Sequence, residues 1–102
     1  MIIDLNKDTF EDEVLKASGK VLVDFWAPRC VPCVKMTPHL EELAKERTDV
    51  KFCRLNVDEE TLIAMQHRVF GIPTFMVFEN GVMTAADCGY MEKSELNALL
   101  DK

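Results

Sequence analysis

Hydrophobic positions along this chain follow two rhythms in turn, one of strand type and one of helix type. Ile2 to Leu5, Val21 to Phe25, Val50 to Val57, Thr74 to Phe78 and Val82 to Asp87 are apolar or alternating runs of strand length. Val21-Leu22-Val23-Asp24-Phe25 is almost wholly apolar, the pattern of a central strand covered on both faces. Phe10, Val14 and Ala17 share one helical face, with Asn6 or Asp8 as its cap and Ser18-Gly19 as its stop. Met36, Leu40, Leu43 and Ala44 recur at i, i+4, i+7 and i+8 and predict a helix to about Thr48, kinked at Pro38. Glu59 to His67 predicts a short helix, and Leu96, Leu99 and Leu100 mark a final amphipathic one. Glu79-Asn80-Gly81 reads as a tight hairpin turn, while Gly71-Ile72-Pro73 and Gly89 interrupt the pattern. Strands alternate with helices and a hairpin follows, which implies an α/β fold: a mixed sheet with helices on both faces.

A chain of 102 residues supports one core, so residues 1–102 are expected to form a single domain. The net charge is −6 and no basic cluster is present, which argues against nucleic acid or an anionic membrane as partner. The expected partners are proteins. Met1-Ile2-Ile3-Asp4 offers no basic region followed by an apolar one, and no run approaches the ~18 apolar residues of a membrane span, so a cytoplasmic location is expected. In a reducing compartment, four cysteines fit a catalytic pair better than a framework of structural bridges.

Candidate chemistry concentrates in Trp26-Ala27-Pro28-Arg29-Cys30-Val31-Pro32-Cys33, where the central strand hands over to a helix. Two thiols two residues apart at a helix N-terminus meet unpaired backbone N–H groups and the positive end of the helix dipole, both of which favour a thiolate. Cys30 is the candidate nucleophile. Pro32 suits a first helical turn, where no N–H donor is needed. The same spacing also occurs in zinc knuckles, but Cys53 and Cys88 stand alone in the sequence and supply no second close pair. Both read as buried structural thiols. His39 and His67 read as surface or packing residues, and Met36, Met65, Met76 and Met91 as core fillers.

A CxxC pair beside a βαβ pattern is a general signature of a redox motif, and here it is one of five ordered motifs. They are Val23-Asp24-Phe25-Trp26-Ala27-Pro28, Cys30-Val31-Pro32-Cys33 with Pro38, Gly71-Ile72-Pro73-Thr74-Phe75, Phe78-Glu79-Asn80-Gly81 and Gly89. Along its whole length the chain resembles the thioredoxin family. The resemblance implies the thioredoxin fold, a central mixed five-stranded β-sheet flanked by four α-helices. It also implies a protein dithiol-disulfide oxidoreductase in which Cys30 attacks a partner's disulfide, Cys33 resolves the mixed disulfide, and Asp24 accepts the proton of Cys33. Pro73 matches the family's cis-proline. Trp26, Gly71, Ile72 and Gly89 would line a groove where an extended partner segment adds as a strand. No bound cofactor is implied beyond a redox-active Cys30-Cys33 disulfide, and no metal. The implied partners are disulfide-containing proteins and a thioredoxin reductase, acting on a monomer.

The chain departs from the family pattern beside the thiols. Arg29, Val31 and Val34 stand where thioredoxins usually carry tryptophan, glycine and a basic residue. Arg29 brings a cation close to Cys30 and is expected to bias docking towards acidic partner surfaces, while Val34 removes a neighbouring positive charge. Arg54 stands where the family has a lysine facing the buried carboxylate; it reads equally as a partner of Asp24 or as a solvated strand-end residue. These changes keep two other functions in view: a specialised thiol oxidant or isomerase, and a redox-independent binding subunit.

Overall fold

In the computed structural model, which describes residues 1–102, the apolar run becomes strand β2 (Lys20–Trp26) at the centre of a five-stranded sheet. The other strands are β1 (Ile2–Asp4), β3 (Val50–Asn56), β4 (Thr74–Glu79) and β5 (Val82–Cys88), in the order β1-β3-β2-β4-β5. β2 runs parallel to β3, with Asp24 opposite Arg54, and antiparallel to β4, with Asp24 opposite Phe75. The sheet is therefore mixed, as the alternation followed by a hairpin requires.

Both faces are covered. Leu22, Phe52, Phe75 and Val77 pack against Met36, Leu40 and Leu43 of α1 (Val31–Glu46) and against Leu96, Leu99 and Leu100 of α3 (Lys93–Leu100). On the opposite face Val21, Val23, Phe25, Leu55, Met76 and Phe78 meet Phe10 and Val14, with Ile63 of α2 (Thr61–Gln66) beside them. Alternation along β2 thus feeds two cores, and this double burial explains why its sequence reads as one apolar block. α1 and α3 are tied at the surface by Lys93, which pairs with Glu42 and Glu46 of α1.

Details of the expected elements shift for local reasons. The first helix is a single turn, Glu11–Leu15, wound in the wider π form, with the Lys16 N–H donating to the Glu11 carbonyl. Neither candidate caps this turn, whose N-cap position is Phe10 with no side-chain hydrogen bond; Asn6 instead closes the preceding turn, its side-chain oxygen accepting from the N–H groups of Asp8 and Thr9. α1 ends at Glu46 rather than Thr48, where Arg47 leaves helical geometry and its guanidinium turns to Asp49 and Asp101. Pro38 stands within α1 without interrupting it. α2 is shorter than Glu59 to His67, because the chain around Asn56 to Glu60 is spent on a turn.

Asn80 and Gly81 both have positive φ, the mirror-image turn that matches strand twist in a two-residue hairpin. Gly81 is doubly required, since a Cβ there would meet the Leu15 carbonyl oxygen at 2.2 Å.

Two expectations about the core are corrected. Met65 is 61% exposed, because α2 is short and turns this side outward, whereas Met36, Met76 and Met91 are buried. Cys53 is fully buried, but Cys88 is exposed: β5 is an edge strand paired only with β4, and nearly all of its side chains face solvent. His67 packs against Phe10, Phe25 and Phe78, and His39 meets the Tyr90 hydroxyl.

Candidate active site

Strand β2 ends at Trp26, and Ala27 to Arg29 carry the chain over to α1. Cys30 is the N-cap of that helix, with an extended backbone, and Pro32 sits in the first turn. Cys30 and Cys33 are joined as a disulfide with their Cα atoms 5.2 Å apart. The Cys33 N–H donates to Cys30 Sγ at 3.3 Å. A donor so aimed stabilises negative charge on that sulfur more than on its neighbour. Cys30 retains 8% exposure and Cys33 only 2%.

The pair lies in a small apolar nest of Ala27, Trp26, Val57 and Ile72. The Ile72–Pro73 peptide bond is cis and Pro73 is buried. The Gly89 N–H, at a positive φ of 91°, donates to the Pro73 carbonyl and ties the end of β5 to this turn. Ile72 itself makes no backbone hydrogen bond. Gly71 is exposed with open space around its Cα, and Val31 and Pro32 are exposed on the first turn of α1.

Asp24 lies on β2 on the face of Leu22, the side covered by α1, and is 4% exposed. Burial pushes its carboxyl up to about 7, against the opposing pull of Arg54. Arg54 Nε stands 3.9 Å from Asp24 Oδ2, and neither Asp24 Oδ1 nor Arg54 Nε has a hydrogen-bond partner. The Arg54 guanidinium also lies over the Trp26 ring. Of the two readings of Arg54, the solvated one is excluded by its 17% side-chain exposure.

Arg29 extends into solvent and meets Asp58, Nε and Nη2 each donating at 2.9 Å to one carboxylate oxygen. Asp58 was invisible to sequence reading, because nothing in the pattern pairs positions 29 and 58. Tyr90 also went unread; it joins Val31, Pro32 and Lys35 around an open depression of about 350 Å³. Its one signal was an aromatic residue following Gly89.

No three side chains of His, Cys, Asp or Glu gather as metal ligands, so the zinc knuckle has no completing set. No helix is long and apolar enough to cross a membrane.

A disulfide between two residues flanking one helical turn, at the end of a central strand and beside a cis-proline, defines a thiol-disulfide oxidoreductase site. The thioredoxin family model matches residues 1–102. The chain is 43% identical to the thioredoxin of Pseudomonas aeruginosa strain PAO1 over 101 residues, covering 98% of this chain and 94% of that one. It is 42% identical to thioredoxin 1 of Synechococcus elongatus, covering 92% and 89%. Against the chloroplastic thioredoxin M2 of Arabidopsis thaliana the identity is 41%, covering 96% of this chain and 53% of that longer protein. The chain belongs to the thioredoxin family. Its activity is disulfide reduction through the Cys30–Cys33 pair, and family membership implies disulfide-containing target proteins and a reductase that regenerates the dithiol.

Proposed function

We propose that Cys30 is the attacking sulfur and Cys33 the resolving one, in an atypical Cys-Val-Pro-Cys site. One observation carries this reading: Cys30 is the more exposed sulfur and receives the Cys33 N–H, while Cys33 is sealed beneath it. The Cys30 thiolate attacks one sulfur of a partner's disulfide, forming a mixed disulfide and expelling the other sulfur as a thiolate. Cys33 then loses its proton and attacks Cys30 Sγ. The partner leaves with both sulfurs reduced, and two electrons have passed from the Cys30–Cys33 dithiol to it.

Asp24 receives the Cys33 proton. Its carboxyl, raised to about 7 by burial, takes up and releases a proton near neutral pH, which suits a base that must be reset each cycle. Trp26, Arg29, Val31, Pro32, Gly71, Ile72, Pro73 and Gly89 form the docking surface around Cys30. The unpaired main chain of Ile72 supports addition of an extended partner segment as an extra strand.

The chain works as one domain over residues 1–102 and as a monomer, with neither nucleic acid nor membrane as partner. The net charge of −6 supports the last point. A cytoplasmic location accords with the two unpaired thiols, Cys53 and Cys88, since reducing compartments keep thiols free.

The test is trapping. Cys33→Ser is expected to accumulate disulfide-linked complexes through Cys30, and Cys30→Ser none. Absence of complexes with Cys33→Ser, while the wild type still reduces a protein disulfide, would reject these roles.

A further inference from the structure

Arg29 and Asp58 form one unit across two loops. Arg29 adjoins Cys30, and Asp58 follows Val57, which packs on the cysteine nest and donates its N–H to the Trp26 carbonyl. Asp58 is held by its own turn, its N–H donating to the Asn56 side chain. The two carboxylate oxygens take one N–H each from Nε and Nη2, the fork face of the guanidinium, and leave a ligand only the Nη1 donors and the outer N–H of Nη2. Hydrogen bonding to Asp58 raises the Arg29 pKa above its ordinary value, and hydrogen bonding to Arg29 holds the Asp58 carboxyl below the usual range. Both side chains are substantially exposed, 66% and 46%, so the pair faces whatever docks beside Cys30.

We propose that Asp58 is a specificity-determining residue: by holding Arg29 it cancels the positive charge beside the reactive thiol and keeps the docking surface from favouring acidic partner segments. An unopposed Arg29 would attract them. With Asp58 bound, an incoming carboxylate meets a guanidinium with two of its donor positions filled and a negative charge at its back. Selection among partners then falls to shape and to main-chain pairing at Ile72.

The inference rests on the reading of Arg29 as part of the docking surface, and the experiment separates the two. Reduction of two synthetic peptides, each with one internal disulfide, is compared; one carries glutamates beside the disulfide and the other lysines. The readout is the ratio of their kcat/KM values at about 10 mM ionic strength, where the Debye length is roughly 30 Å. One freed unit charge about 6 Å from the partner's charge, in a water-like dielectric, corresponds to roughly a threefold change. Each peptide's kcat/KM should move by that factor in opposite directions, so Asp58→Asn is expected to raise the glutamate-to-lysine ratio about tenfold, and Arg29→Gln to lower it about tenfold. Asp58→Glu, which keeps the charge, should leave the ratio at the wild-type value. Both shifts should collapse in about 0.5 M salt. An unmoved ratio in Asp58→Asn, with Arg29→Gln still effective, overturns the role of Asp58 and leaves the docking surface standing. If neither substitution moves it, Arg29 lies outside the docking surface and both readings fall. A change in Asp58→Asn that persists in high salt also overturns the proposal, because it reports shape and not charge.

Discussion

The guanidinium carbon of Arg54 stands 3.7 Å from the centre of the Trp26 ring. The same side chain places Nε 3.9 Å from the Asp24 carboxylate, so one cation joins the half-buried Trp26 wall of the site to its buried acid. An arginine keeps its charge across the working pH range, and its flat face suits an indole where a lysine would offer a point charge.

Removing that cation should lift Asp24 further. With Arg54→Gln, burial acts on the carboxyl unopposed, and its titration midpoint is expected at least about one pH unit above the wild type. The carboxyl-carbon NMR shift of Asp24 checks this; a midpoint that stays near 7 would show that the 3.9 Å pair carries no coupling.

Asp24 also sets a pH dependence of stability. Its folded pKa of about 7 lies above the ordinary value of 3.8, so the folded state holds a proton that the unfolded chain has already lost. Below pH ~4 both states are protonated and no penalty exists. Between pH ~4 and ~7 the penalty grows, and above ~7 it is complete, on the order of 4 kcal/mol. The unfolding free energy of Asp24→Asn minus that of wild type should therefore rise across this window and level off. Urea titrations at pH 4, 5.5, 7 and 8.5 would reveal it, and a flat difference would contradict the buried titration.

The cysteines should separate by exposure. In the oxidised protein Cys88 alone is expected to react quickly with iodoacetamide. Cys53 is fully buried, with its thiol pushed up to about 12, and should react only after unfolding. Mass spectrometry of the native protein should find a single label; a second on Cys53 would mean that the sheet opens readily.

Gly81→Ala should destabilise the fold by roughly 1–3 kcal/mol, lowering Tm by on the order of 10 °C. The φ of 83° and the 2.2 Å approach to the Leu15 carbonyl oxygen act together here. By contrast, Gly71→Ala meets open space at ordinary φ and should cost far less. Thermal unfolding of the two variants side by side tests the ranking.

What the amino-acid order determined by itself was local and periodic. Apolar spacing placed all five strands, the α1 stripe of Met36, Leu40 and Leu43, and the hairpin at Asn80-Gly81, because side-chain direction along a strand or helix is dictated by backbone geometry alone. The CxxC motif and its place at a helix start were legible for the same reason. Tertiary structure decided whatever depends on residues distant along the chain. It covered Cys53 and bared Cys88 according to which strand lay at the sheet edge, turned Met65 outward on a short helix, and drew Arg54 between Asp24 and Trp26. It also set Asp58 against Arg29, twenty-nine residues away, a meeting that exists only because the turn after β3 folds beside the turn after β2.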